Sequence, residues 1–394
     1  MADNKDKKVL NVPALRFPEF TGEWERHKLS EVCSFYSGGT PSSSKKEYYN
    51  GNIPFIRSGE LHKDYTELFI TEAGLSNSAA KLVETGDLLL ALYGATSGDI
   101  AISKIKGAIN QAILCIRTKQ NKKFIESVWN KHVERLLQTY LQGGQGNLSA
   151  DIVKNIPFYF ANSNEQDKLA KFISLLDERI ATQNKIIEKL ETLIKGIVDS
   201  IFTANEFPKV PFKEIYVRAG EGGTPATSNP EYYDNGTIPF IKIDDLQNKY
   251  IKTNKDCITE LGLQKSSAWI VPANSIIYSN GATIGAISIN LFPVCTKQGI
   301  LGVVPKADIN VEFLYYFMTS TAFTKAVERI VTEGTMRTAY LKDINHIPCP
   351  VPCSVKQDEI AKLLSTLSEK LENEVIFQMK LQKQKEFLLS QMFI

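Results

Sequence analysis

The most regular feature of the chain is a stripe of apolar side chains spaced alternately four and three residues apart. Leu169, Ile173, Leu176, Ile180, Gln183, Ile187, Leu190, Ile194, Ile197 and Ile201 follow it without a break, and all but Gln183 are Leu or Ile. That period marks a coiled-coil seam rather than the broader apolar face of an ordinary surface helix. The same register, displaced by 191 residues, falls on Ile360, Leu364, Leu367, Leu371, Glu374, Gln378, Leu381, Lys385, Leu388 and Met392. Three polar positions weaken this second seam, and Ile376, Met379 and Phe387 lie off it, so its last turns are expected to present a rotated face. Asn162 with Glu165, or Ser163 with Gln166, has capping-box spacing, and Ser354 with Gln357 repeats it just behind Pro352.

Two helices of about 40 residues would each be about 60 Å long, and an exposed Leu/Ile stripe of that length would aggregate. The helices are therefore expected to pack on each other. Two equivalent units that meet by a self-complementary contact are related by a pseudo-twofold axis, which makes the helices antiparallel when the axis is perpendicular to them.

Outside the helices the apolar runs are short. Leu88-Leu89-Leu90 and Ser275-Ile276-Ile277-Tyr278 are bounded by turn residues and predict strands. Three- and four-residue spacing over 124–141 and 311–331 predicts a helix in each region. These segments are duplicated. Gly38-Gly39-Thr40-Pro41, Tyr48-Tyr49, Gly51 and Ile53-Pro54-Phe55-Ile56 return as Gly222-Gly223-Thr224-Pro225, Tyr232-Tyr233, Gly236 and Ile238-Pro239-Phe240-Ile241. Further on, Gly94-Ala95-Thr96 with Gly98 matches Gly281-Ala282-Thr283 with Gly285. The expected fold class is α+β: two similar mixed α/β domains separated by two long helices, packed as an antiparallel coiled coil with internal pseudo-twofold duplication. The expected boundaries are a polar N-terminal arm (1–14), a first domain (15–160), a central helix (161–204), a second domain (205–352) and a distal helix (353–394).

Composition narrows the functional classes only slightly. A chain of 394 residues, 43% hydrophobic and 23% charged, has ample material for several cores. No apolar run reaches membrane-spanning length and the start has no apolar signal region, so a cytoplasmic protein is expected, with no membrane partner. Six scattered cysteines read as reduced thiols. The net charge of +2 means that any surface for nucleic acid must be local. Lys45-Lys46, Lys104 with Lys106, Lys119 with Lys122-Lys123, and Lys249 with Lys252 and Lys255 are the candidate patches, against the simpler reading of solvated faces.

Catalytic chemistry has no constellation to rest on. There is no phosphate loop and no dinucleotide fingerprint, and the four histidines lack partners at metal spacing. Cys349-Pro350-Val351-Pro352-Cys353 is a poor zinc half-site. Asn155-Ile156-Pro157-Phe158 departs from the methyltransferase motif it superficially matches, and its counterpart reads His346-Ile347-Pro348-Cys349. No catalytic residue, metal or cofactor is expected. The duplicated positions are glycines, prolines and aromatics, which fix backbone and packing rather than move protons.

Arg16-Phe17-Pro18 followed by Trp24, the repeated Gly-Gly-Thr-Pro and Ile-Pro-Phe-Ile motifs, and the helix starts Gln166-Asp167-Lys168-Leu169-Ala170 and Gln357-Asp358-Glu359-Ile360-Ala361 together resemble a known family. The chain resembles, over nearly its whole length, the specificity subunit of a type I restriction-modification enzyme. The resemblance implies a non-catalytic reader of double-stranded DNA. It implies two methyltransferase subunits as partners, which methylate adenine, and restriction subunits that add translocation and cleavage. Each target-recognition domain would read one half of a split asymmetric sequence, while the helices set the spacer and dock the methyltransferase. The alternative is a duplicated protein-binding scaffold without DNA readout.

Base reading needs side chains with paired donors and acceptors, whereas Ser, Thr, Lys and backbone amides mainly hold phosphates. The candidate DNA-binding residues are accordingly Thr40 and Thr224 in the glycine turns, Arg57 and Lys242 after the Ile-Pro-Phe-Ile strands, and Asn110-Gln111 with their counterparts Lys297-Gln298. Gln145 and Asn147, and Arg337 and Thr338, in the loops leading back to each long helix, complete the set. For each of these, turn geometry or a solvated surface is the competing reading.

Overall fold

In a computed structural model the chain is described over residues 10–140, 148–204, 206–281, 283–331 and 337–394. It divides into two compact units, Met1–Asn184 with Phe377–Ile394, and Lys185–Ile376. The division falls inside both long helices, Ser163–Thr203 and Ser354–Met392, so each unit holds half of each helix.

The first unit has two four-stranded sheets besides the small antiparallel pair Glu25–Lys28 with Pro157–Phe160. One is antiparallel throughout, in the order Cys33–Ser37, Ile113–Thr118, Leu88–Ala91, Ile100–Ile102. The other is ordered Phe69–Ile70, Tyr49–Ile56, Gly107–Ile109, Lys81–Val83, and here Tyr49–Ile56 runs parallel to Gly107–Ile109. The second unit repeats the plan with Tyr216–Glu221, Ile300–Pro305, Ile276–Ser279 and Ile287–Asn290, and adds Tyr250–Ile251 at the edge. Its second sheet is Asp256–Ile258, Ile238–Ile241, Cys295–Thr296, the last two again parallel. The counterpart of Lys81–Val83 shrinks to a single bridge, Val271 to Val294.

The helix of the first unit runs over Lys122–Tyr140. The single helix expected over 311–331 is instead two, Val311–Thr319 and Thr321–Ile330. Ser320 causes the break: its hydroxyl donates to the Phe317 carbonyl at 2.6 Å and accepts from the Phe323 amide at 3.3 Å, a side-chain alternative to the helical ladder.

Every position of both predicted seams is buried or half-buried. In the first unit the core joins Leu169 and Ile173 to Leu389, Met392 and Phe393, and Asp177 pairs with Lys385 at 2.6 Å, so these two half-helices run antiparallel. In the second unit Val198 and Phe202 share a core with Ile360 and Leu364. The face expected from Ile376, Met379 and Phe387 is not the one that packs, although Leu389 and Phe393, beside the register, are buried along with Leu381 and Met392 on it. Leu381, Leu388 and Met392 keep the register inward, while Ile376, Met379 and Phe387 stay exposed.

The capping expectation holds only in part. Asn162 accepts from the Glu165 amide at 3.0 Å. Gln166 and Gln357 close no box with Ser163 and Ser354: each donates to the carbonyl just before its helix, of Ala161 or Pro352, and accepts a backbone amide from the domain beside it.

Around the first helix, Arg16 forms paired bonds of 2.7 Å with buried Glu165, Phe17 meets Phe172 edge-on, and Trp24 lies against Phe124 and Phe393. Of the residues that marked the family resemblance near the start, Arg16 and Phe17 thus fasten it to the central helix, and Trp24 to the domain helix and the end of the distal one.

Candidate functional site

In each unit the candidates gather where the two parallel strands end. Ile56 is paired with Ile109, so Arg57 and Asn110 follow side by side. Ile241 is paired with Thr296, which sets Lys242 beside Lys297, and the Lys297 amide donates to the Ile241 carbonyl at 3.0 Å.

The Gly-Gly-Thr-Pro turn lies over these ends. A Cβ on Gly38 would sit 1.9 Å from the Ile109 carbonyl oxygen, and one on Gly222 1.9 Å from that of Thr296. Gly39 and Gly223 are equally confined by Ala79 and by Ser267 with Ala268. The paired glycines therefore answer a close backbone approach that no side chain could share. The turn places Thr40 so that its hydroxyl donates to Gln111, and Thr224 so that it accepts from the Gln298 amide at 3.3 Å. The threonine and the glutamine thus meet in both copies.

Arg57 and Lys242 are held differently. The Arg57 guanidinium bonds Glu60 at 2.9 Å and Glu67 at 2.8 Å. Glu60 is 3% exposed and also accepts from the Arg57 amide and the Thr66 hydroxyl, each at 3.0 Å. Burial alone would raise its carboxyl, but these hydrogen bonds, led by the Arg57 side chain, hold it down at about 2. The same ion pairs raise the Arg57 guanidinium. Lys242 instead makes one exposed pair with Asp256 at 2.9 Å, while its backbone amide donates to Asp245.

The return loop joins the same region in the second unit. The Asn280 amide donates to the Gly299 carbonyl, next to Gln298, and the Ala339 amide donates to the Asn280 carbonyl. Exposed Arg337 lines a cavity of about 580 Å³ with Tyr278, Thr283, Thr324 and Glu328, and half-buried Thr338 follows it. In the first unit Leu92 bonds Ala112 and Leu148 in the same way. Gln145 and Asn147 lie outside the described residues.

Most lysines of the candidate basic patches serve internal contacts. Lys45 donates to the Tyr48 hydroxyl, Lys104 to the His62 carbonyl and Lys122 to the Gly86 carbonyl. Lys123 pairs with Asp177 at 2.6 Å. Lys249 bonds Ser365 and Tyr316 at 2.8 and 3.1 Å and lies over the rings of Tyr250 and Tyr316.

Sequence reading missed Trp269, which lies beneath the Arg218 guanidinium at 4.1 Å in a cation–π contact. Its ring covers Gly220 and Gly302. The missing side chains at those glycines were the available signal. Among the described residues no group of three or more His, Cys, Asp or Glu side chains is placed to hold a metal, and no helix is long and apolar enough to cross a membrane.

Comparison with known proteins is consistent across sequence and fold. The family described as "Type I restriction modification DNA specificity domain" matches twice, over residues 21–192 and 209–380. The chain is similar to the type I restriction enzyme MjaIX specificity subunit of Methanocaldococcus jannaschii, with 24% identity over 93% of this chain and 92% of that protein. It is also similar to the HindI specificity subunit of Haemophilus influenzae, with 31% identity over 39% of this chain and 34% of that one. Among solved structures, the S subunit of a type I restriction-modification system from M. genitalium has the same fold. Its TM-score is 0.60 at 16% identity, covering 97% of this chain and 99% of that one.

Proposed function

This chain belongs to the type I restriction modification DNA specificity family, and we propose that each of its units reads one half of a bipartite asymmetric DNA sequence. The long helices set the unspecified spacer and offer surfaces to two methyltransferase subunits, with restriction subunits joining the complex. The chain itself supplies recognition, and its partners supply methylation and cleavage.

The observation that carries this reading is a constant frame with variable positions at its edge, half-buried at Asn110, Arg57 and Lys242 and exposed at Lys297. Glycine turn, parallel strand ends and threonine-glutamine contact recur in both units. At their edge the side chains differ: Asn110 against Lys297, and Arg57 against Lys242. Two different half-sites require such differences, since bases are distinguished by the donors and acceptors presented to them. A scaffold for one repeated protein partner would have no such requirement.

Thr40, Gln111, Thr224 and Gln298 are assigned to the phosphate backbone beside each half-site. Asn110, Lys297, Arg337 and Thr338 are assigned to the DNA edge, with Arg57 and Lys242 at its margin. The test is binding of duplex DNA by the chain with its methyltransferase subunits across a salt series. Sequence-selective binding that weakens steeply with salt is expected, because phosphate contacts release counterions. Binding without sequence preference would refute the reading.

A further inference from the structure

We propose that an Asn-Gln-Asp junction at the root of each long helix is a positioning device that sets the direction in which the helix leaves its recognition domain, and thereby the accepted DNA spacer. The inference rests on the reading of the chain as a two-part DNA reader.

The junction is built twice around the same five bonds. In the first unit Gln166 is 2% exposed. Its carbonyl oxygen accepts from the Asn121 amide at 3.2 Å, and its side-chain nitrogen donates to the Ala161 carbonyl at 2.7 Å. Asn121 caps the domain helix by accepting from Lys123 and Phe124 at 3.0 and 3.1 Å, while its side-chain nitrogen donates to Asp167 at 2.8 Å. In the second unit Gln357 is 1% exposed, accepts from the Asn310 amide at 2.9 Å and donates to the Pro352 carbonyl at 3.0 Å. Asn310 caps Glu312 and Phe313 at 2.9 and 3.1 Å and donates to Asp358 at 2.7 Å.

One asparagine thus ties the start of the domain helix to the start of the long helix. Hydrogen bonds are directional, unlike the apolar contacts around them, and a buried amide is costly unless bonded. The surroundings have diverged, with Lys122-Lys123 in one unit and Val311-Glu312 in the other. The junction has kept these five bonds, and only the second donor of the glutamine has changed partner, from the Gln120 side-chain oxygen at 2.8 Å to the Asp308 carbonyl at 3.2 Å. A helix of about 60 Å amplifies error at its root: a swing of about 5° moves its far end by roughly 5 Å, more than one base-pair step of about 3.4 Å.

The test uses the full chain with its methyltransferase subunits, acting on a DNA library whose spacer is authentic, one base pair shorter or one longer. Methylation is read by sequencing. The variants are Gln166→Leu/Asp167→Ala and, with only the exposed contact removed, Asp167→Ala. The control is Asn121→Asp/Asp167→Asn, which exchanges donor and acceptor. Expected in the double variant are unchanged half-site bases and a spacer preference lowered about fivefold, the factor one ordinary hydrogen bond is worth. The control should recover the preference, and Asp167→Ala should fall between. Unchanged spacer preference in both variants, with only a lower melting temperature, would overturn the proposal, as would altered half-site bases. A wild-type complex without a two-part target would instead remove the underlying reading, and the proposal with it.

Discussion

At the strand ends the first unit buries an acid and the second does not. Glu60 is enclosed and accepts from Arg57, Thr66 and the backbone, whereas the Lys242–Asp256 pair is about 40% exposed on both sides, at 43% and 42%. Beside the long helices the contrast is again one of charge. Lys123 and Lys385 converge on Asp177 in the first unit. Glu312 in the second accepts from the hydroxyls of Tyr250 and Ser365 and lies 3.4 Å from Lys249. The glycine turns and helix-root junctions are unchanged through all of this. Backbone proximity and directional amide bonds leave few alternative residues, while a charged contact can be replaced by any arrangement that satisfies its partners.

The sharpest break of the comparison is at the shared frame. Gly38→Ala and Gly222→Ala each force a Cβ into a carbonyl oxygen, so each should destabilise its unit by about 3 kcal/mol or more, in similar amounts, as measured by urea unfolding. The matched cations should separate instead. Arg57→Ala leaves Glu60 buried without its main partner and should cost about 2 kcal/mol, while Lys242→Ala should cost less than about 1 kcal/mol.

Acid provides an independent check on the first of these. The Glu60 carboxyl is depressed from 4.5 to about 2, so its contribution to stability is complete above the unfolded value. It is lost as pH falls from about 4.5 through about 2. A Glu60→Gln variant should show a shallower acid loss than wild type over that window in thermal unfolding. The variant expected to disturb folding least concerns recognition. Arg337→Ala should leave folding intact and relax one base position of one half-site by about tenfold, read as the ratio of binding to matched and mismatched duplexes.

Much of the frame was legible in the chain because it is periodic or repeated. The four-three spacing located both helices, and the register of Leu381, Leu388 and Met392 continued to the end of the second. Polar residues at seam positions had suggested a rotation, but Lys385 is accommodated by Asp177. The duplicated motifs placed Thr40 with Gln111 and Thr224 with Gln298 in corresponding regions, yet nothing local revealed that they touch. That contact depends on the parallel pairing of strands some fifty residues apart, such as Phe55 with Ala108.

Gln166 and Gln357 illustrate the same limit. Three-residue spacing makes them capping partners on paper, but Asn121 and Asn310 lie 45 and 47 residues away and compete successfully. Glu60 gave no signal because a single acid in a polar segment has no period. Ser320 broke a helix that the apolar spacing alone would have continued.

The central claim is that one frame, built twice, holds two different readings. Sequencing of methylated DNA from cells expressing this chain with its methyltransferase subunits tests it most directly. Two dissimilar half-sites separated by a fixed unspecified gap are predicted. Methylation at a single uninterrupted sequence, or with no sequence preference, would contradict the account.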